Sequence, residues 1–111
     1  MAKELKIEEM SSLVAEDLKS SGVEMNDSVV KLVIEGYITQ KKNQFLSGNA
    51  VVEDGIGTQR PSYRRVSHAF NPKYPYTAKM ITDMDYRLKD AIIDKLSSDA
   101  DFRVAVGATE L

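Results

Sequence analysis

The sequence predicts an α+β fold in which two helices come first, strands with a hairpin follow, and one short helix comes last. Apolar residues recur at steps of three and four near both ends of the chain, which is the spacing of a helix face. The middle of the chain instead alternates strand-like runs with turn residues. The 111 residues fit one domain with a modest core.

The first helix is predicted from Ile7 to Leu18. Its apolar residues follow helical spacing at Ile7, Met10, Leu13, Val14 and Leu18. The stretch Ser20–Gly22 then ends the helix, because glycine readily adopts the left-handed conformation of helix ends.

A second helix is predicted to begin at Asn26 or Asp27, whose side-chain oxygens suit an N-cap, and to run to Ser47-Gly48. Its β-branched residues would also suit a strand, but the 21 positions from Asn26 to Leu46 are too many for one. Its predicted apolar face consists of Val29, Val30, Val33, Ile34, Tyr37, Ile38 and Phe45. A two-helix hairpin cannot cover such a face, so either a sheet of the same chain or a second subunit must do so.

The middle of the chain is predicted to form a hairpin. "NAVVEDGIGT" indicates a short strand, a turn at Asp54-Gly55 and a continuation into Gly57. Ser62–Phe70 indicates a strand with Tyr63, Arg65 and Ser67 on one face and Arg64, Val66 and His68 on the other. Asn71-Pro72 breaks that strand, and Thr77–Ile81 is predicted to return as a short strand.

Charge is distributed unevenly along the chain. The 28 residues from Gly55 to Thr82 contain five Lys or Arg and no carboxylate, whereas the other 83 residues carry ten basic and seventeen acidic side chains. Guanidinium groups bind phosphate through planar bidentate hydrogen bonds and permanent charge. The segment therefore predicts either a phosphate-binding hairpin or a solvated hairpin whose cations keep an exposed edge from aggregating.

A last helix is predicted after Thr82–Asp85, which fits a capping box. Its apolar stripe is Leu88, Ala91, Ile92 and Leu96, and Ser97-Ser98 ends it. The sequence thus divides into a domain over residues 1–98 and an extension over 99–111. In the extension, Phe102, Val104 and Val106 alternate, which indicates an edge strand or a loose tail.

Several of these motifs occur in an order and spacing that resembles the HU/IHF family of bacterial DNA-bending proteins. Gly48 resembles the family's helix-closing glycine, and "GIGT" (residues 55–58) resembles its Gly-Phe-Gly turn. "RRVSHAFNP" then brings Asn71-Pro72 at the family's interval after that turn. "LKDAI" (residues 88–92) resembles the start of the final helix, while Val14-Ala15 and Gly22 match positions upstream. The resemblance spans roughly Met10 to Lys95.

The resemblance implies a three-stranded antiparallel sheet with a protruding β-arm and an intertwined dimer, formed with itself or with a related subunit. It implies double-stranded DNA as the partner and proline insertion in the minor groove as the means of bending. The implied DNA-binding residues are Arg60, Arg64, Arg65, His68, Asn71, Pro72, Lys73 and Lys79. The stretch from Pro72 to Leu88 is shorter than in the family, which predicts a truncated returning strand. A diverged member, for instance one encoded by a phage, would account for the net charge of −2.

Other classes of protein find little support. We expect no enzyme, because the single histidine, His68, lies in the middle of the hairpin and the chain has no cysteine. No cofactor, metal, small-molecule substrate or membrane is expected as a partner. The charged N-terminus lacks the apolar stretch of a signal peptide, and the absence of cysteine predicts a reducing, cytoplasmic location. The serious alternative is a dimeric protein-interaction or virion-structural module of the same fold that binds little or no DNA.

Overall fold

The computed structural model describes residues 3–66 and 75–111 and confirms the predicted α+β class. Two helices open the chain, a three-stranded sheet follows, and two helices close it. The elements are α1 (Ile7–Ser20), α2 (Asp27–Leu46), β1 (Val51–Glu53), β2 (Gly57–Arg65), β3 (Tyr76–Met84), α3 (Tyr86–Ser98) and α4 (Ala100–Ala105). The chain forms two compact units, Met1–Lys42 and Asn43–Leu111. No helix among the described residues has both the length and the apolar character needed to cross a bilayer.

The helical unit contains every buried side chain of the described residues, namely Ser11, Ala15 and Val30. The Ser11 hydroxyl lies at 2.6 Å from the Ile7 carbonyl oxygen, so its burial leaves no donor without a partner. The N-cap prediction for α2 is confirmed, because the Val29 amide donates to Asn26 Oδ1 at 2.9 Å. Both helices end where the glycine-containing stretches predicted.

The apolar face of α2 is open to solvent in the single chain. Leu32 and Val33 are 68% and 61% exposed, and Val29, Tyr37 and Ile38 are exposed as well. Only Val30 of this helix is buried. The described chain does not cover the apolar face of α2, so a second subunit as its cover stays a prediction.

The sheet is antiparallel with the order β1-β2-β3. Strand β1 pairs only with residues 57–59 of β2, so β2 and β3 continue past it as a two-stranded ribbon. Pro61 lies beyond the end of β1, where the outer edge of β2 has no strand partner within the described residues. A proline, which lacks a backbone donor, is tolerated at such an edge.

The returning strand is longer than the predicted Thr77–Ile81. Strand β3 has nine residues, as many as β2, and pairs with β2 along its whole length from Gly57↔Met84 to Arg65↔Tyr76.

The capping-box prediction is also wrong. Thr82, Asp83 and Met84 pair with β2 as part of β3, and Asp85 itself is the N-cap of α3. In the extension, the predicted edge strand is a helix, α4. Asp99 caps it by accepting the Phe102 amide at 3.0 Å, and Arg103 Nη1 donates to the Leu96 carbonyl at 2.8 Å, which ties α4 to the end of α3.

Candidate nucleic-acid interface

The candidate site is the ribbon formed by β2 and β3 beyond β1, which we call the arm (residues 60–66 and 75–81). Strand pairing runs to Arg65↔Tyr76, and the Val66 amide donates to the Pro75 carbonyl at 2.8 Å, so the ladder continues to the last described residues. Antiparallel pairing alternates side chains between the two faces of the arm. The register therefore fixes which charges share a face.

One face of the arm carries three cations. Arg60, Ser62 and Arg64 alternate along β2 on this face, and the register places Lys79 opposite Ser62. Lys79 is thus the diagonal neighbour of both arginines. Diagonal positions of an antiparallel pair generally lie about 7–8 Å apart. Thr77 lies opposite Arg64 and adds a hydroxyl. We call this set of five residues the cationic face.

The three cations are available to a ligand. Their side chains are exposed, and none of them forms a salt bridge within residues 3–66 and 75–111. The one carboxylate on β2 or β3 is Asp83, which lies opposite Thr58 at the body end of the ribbon and diagonal to Arg60. Beyond Arg60 the described strands of the arm carry no negative side chain, so their field favours an anion.

The opposite face of the arm has a different composition. It holds Tyr63, Arg65 and Tyr76 together with Pro61, Ala78 and Met80. We call this set the aromatic face. Arg65 was predicted to act with the other cations, but it points away from Arg60, Arg64 and Lys79.

Two features anchor the base of the arm. The first is Gly57, whose φ of +149° lies outside the range of ordinary residues and whose missing side chain leaves room for the Asp83 carbonyl oxygen. The second is the Asp85 amide, which donates to the Ile56 carbonyl at 2.9 Å and so holds the end of β3 to the β1–β2 turn.

Arg87 strengthens this second anchor. It donates from Nη2 to Asp54 Oδ1 at 2.9 Å and to Asp85 Oδ2 at 3.0 Å, and Asp85 Oδ1 also accepts the Arg87 amide at 2.8 Å. The hydrogen bonds from Arg87 lower the pKa of Asp85, and the two carboxylates raise the pKa of Arg87. The bonds of Arg87 to Asp54 and Asp85 therefore hold the β1–β2 turn, the end of β3 and α3 together through charged groups.

The structure brings together three of the eight predicted DNA-binding residues, Arg60, Arg64 and Lys79, and places Arg65 on the other face. The remaining four, His68, Asn71, Pro72 and Lys73, lie outside the described residues. Sequence reasoning missed Ser62 and Thr77, whose hydroxyls can donate to phosphate. Alternation along β2 is enough to place Ser62 on the same face as Arg64. Placing Thr77 on that face requires the pairing register of β2 and β3.

The helices, sheet and arm define an α+β fold of the HU type, which confirms the predicted resemblance at the level of the fold. The chain is similar to a structure of HU from Anabaena crystallised with DNA, with a TM-score of 0.63, 19% identity, and coverage of 79% of this chain and 97% of that one. It is also similar to a Bacteroides vulgatus protein provisionally assigned as a bacterial DNA-binding protein, with a TM-score of 0.61 and 18% identity. That match covers 85% of this chain but 38% of the other. No protein-family model and no curated protein sequence matches the chain.

Proposed function

We propose that this protein binds double-stranded DNA through the cationic face of its arm and bends the duplex. The observation that carries the proposal is the grouping of Arg60, Arg64 and Lys79 on one face of a two-stranded ribbon, unpaired within the described residues. The fold that presents them is similar to that of a protein crystallised with DNA.

Phosphate contact supplies the affinity in this proposal. Each cation that neutralises a phosphate releases condensed counterions, which makes binding strong at low salt and weak at high salt. The hydroxyls of Ser62 and Thr77 add neutral donors between the charges. Such contacts carry no sequence information, so any site preference arises from the deformability of the DNA.

Bending is assigned to Pro72, on the resemblance of Asn71-Pro72 to the tip of the HU/IHF arm. A rigid apolar ring can enter a base step from the minor groove while flanking cations, Lys73 among them, hold the backbone. A dimer would present two arms to one duplex. The activity needs no catalytic residue or cofactor, and it places the protein where duplex DNA is found, in the cytoplasm of a cell with a nucleoid or in a virion.

The test is a gel shift on mixed-sequence duplex across a series of salt concentrations. The triple variant Arg60→Ala/Arg64→Ala/Lys79→Ala should weaken binding on all sequences and flatten the log–log salt slope by about one unit for each phosphate that the arm no longer neutralises. The control variant Lys19→Ala/Lys42→Ala/Lys89→Ala removes three exposed cations outside the arm, and so makes the same change in net charge. Equal slopes in the two variants would rule out the cationic face as the binding surface.

The acidic helical unit favours a second candidate function. Residues 1–42 carry eight acidic and six basic side chains, so this unit repels a polyanion and suits a protein partner better. A wild-type protein that retains no duplex even at low salt would support the protein-interaction or virion-structural module instead.

A further inference from the structure

The aromatic face of the arm presents two large rings that nothing in the described chain covers. Tyr63 is 71% exposed and Tyr76 is 56% exposed. Tyr63 lies opposite Ala78 and Tyr76 lies opposite Arg65, which makes the two tyrosines diagonal neighbours on one surface. Within residues 3–66 and 75–111 neither ring makes a ring contact or a cation–π contact, and neither hydroxyl makes a side-chain hydrogen bond. The rings are therefore free to accept a ligand.

The surroundings of these rings favour an anionic ligand. Arg65 lies on the same face, opposite Tyr76 and two residues along β2 from Tyr63. The nearest carboxylates in sequence are Asp54 and Asp83, one on each side of the arm. A small residue, Ala78, faces Tyr63 across the ladder, so the side of that ring is not crowded by its partner. The face therefore combines planar apolar surface with positive charge on a hydrogen-bonded strand pair.

Unpaired bases of a nucleic acid strand match this combination. Bases stack on exposed aromatic rings whatever their sequence, while cations beside the rings hold the phosphates. Strands are a common support for such stacking, because alternate residues project from one flat surface. A duplex cannot use the rings in this way, since its bases are already stacked and paired. A protein ligand would have to supply acidic groups and a flat apolar patch together.

We propose that the aromatic face is a second nucleic-acid site that binds single strands. Unpaired bases stack on Tyr63 and Tyr76, and Arg65 binds the phosphates of the same strand. It lies on the side of the arm opposite Arg60, Arg64 and Lys79. The proposal does not rest on duplex binding, because the two faces share no side chain.

The experiment measures fluorescence anisotropy of a labelled thymidine oligonucleotide with the full chain. Removing both rings in Tyr63→Ala/Tyr76→Ala should lower affinity at least about tenfold, since each stacked base contributes about fivefold or more in binding. Tyr63→Phe/Tyr76→Phe keeps the rings and should bind like wild type. Tyr86→Ala is the matched control, because this tyrosine of α3 is also 71% exposed but lies outside the arm.

Two further probes separate stacking from charge. An abasic oligonucleotide of equal length keeps the phosphates and should bind at least tenfold more weakly than the thymidine strand. A uridine oligonucleotide that binds equally well supports unpaired bases of either DNA or RNA as the ligand, and a weaker one supports DNA. The circular dichroism spectrum and the urea unfolding midpoint of the double alanine variant should match those of wild type, which shows that the variant is still folded.

The proposal is overturned if wild type does not bind the thymidine strand, if the double alanine variant binds it as wild type does, or if the abasic strand binds equally well. It is also overturned if removing the rings changes the oligomeric state, because a second copy would then be the occupant of this face. Failure of duplex binding in the cationic-face test leaves these outcomes unaffected, so the two proposals fail separately.

Discussion

Gly57 marks the point at which β2 begins and the ribbon leaves the β1–β2 turn. Its φ is +149°, and a Cβ at this position would collide with the Asp83 carbonyl oxygen of the paired strand. Backbone atoms cannot move aside as the end of a flexible side chain can. The close approach of β3 at the base of the arm thus depends on the absence of a side chain.

Gly57→Ala should destabilise the fold by about 1–3 kcal/mol, the usual cost of one residue held in an unfavourable backbone conformation. Urea unfolding at fixed protein concentration measures the change. The control is Gly36→Ala in the middle of α2, where nothing lies within 4 Å of the added Cβ. That change should stabilise the helix by up to about 1 kcal/mol. If both variants shift the unfolding free energy in the same direction, Gly57 is not the constraint described.

Asp85 connects the end of β3 to α3 through its charge. Its carboxylate accepts two hydrogen bonds from Arg87 at Oδ1 and one at Oδ2, and these lower the pKa of Asp85 below its ordinary value. A carboxyl whose pKa is lowered on folding stabilises the protein above its unfolded pKa, about 3.9 for aspartate. This stabilisation is lost as the pH falls through the lowered value.

Asp85→Asn should therefore lower the unfolding free energy at pH 7, and the difference from wild type should shrink as the pH falls below about 4. Urea unfolding at pH 7 and at pH 3 gives the two differences. Asp90→Asn removes the same charge from α3 without breaking a side-chain contact among the described residues, so it should cost less at pH 7. A gap that stays constant with pH would mean that the charge of Asp85 contributes nothing.

At the scale of elements, the sequence predicts helices better than strand partners. The ends of α1 and α2 follow from local signals, such as Asn26 beside the first turn of α2 and the glycines after each helix. The alternation of Arg64 and Arg65 between faces is equally local, and the structure confirms it. Each of these features depends only on residues within a few positions of each other.

Strand register is not local, and there the predictions were wrong. Thr82–Met84 resemble a helix start in isolation, but pairing with Gly57–Gln59 holds them in β3. Phe102, Val104 and Val106 alternate over too few residues to distinguish a strand from a helix. The Asp99 side chain accepts the Phe102 amide and so favours the start of a helix, α4. The two faces of the arm likewise depend on which residue of β3 faces Ser62. No single-strand pattern reveals that pairing.

Pro72→Ala tests the proposed bending of the duplex. If Pro72 inserts into a base step, the variant should lose bending more than binding, because the cationic face still neutralises phosphates. Unstacking costs a few kcal/mol per step, so affinity for pre-bent or nicked DNA should fall least. Fluorescence transfer between the ends of a short duplex measures the bend. If wild type and variant shorten the end-to-end distance equally, Pro72 only forms a turn.

At the scale of the whole molecule, the distribution of buried residues is uneven. Every buried side chain of the described residues belongs to α1 or α2, and none of the described residues of the unit Asn43–Leu111 is buried. Its apolar residues Leu88, Ile92 and Leu96 are only half-buried on α3. Small domains need most of their apolar surface covered to be stable. A single chain therefore leaves both the α2 face and the second unit short of a core.

We predict a dimer in which the α2 face is covered by a second copy. Leu32→Glu/Val33→Glu places two charges on that face, and burying them without partners is unfavourable, so the variant should dissociate. Sedimentation equilibrium at micromolar concentration should give twice the 12.4 kDa chain mass for wild type and the chain mass for the variant.

Ser28→Glu/Lys42→Gln makes the same change of −2 in net charge on the polar stripe of α2, formed with Lys31 and Glu35, and should stay dimeric. A wild-type protein that sediments only as 12.4 kDa would refute the dimer, and dissociation of both variants would show that net charge rather than the apolar face controls assembly.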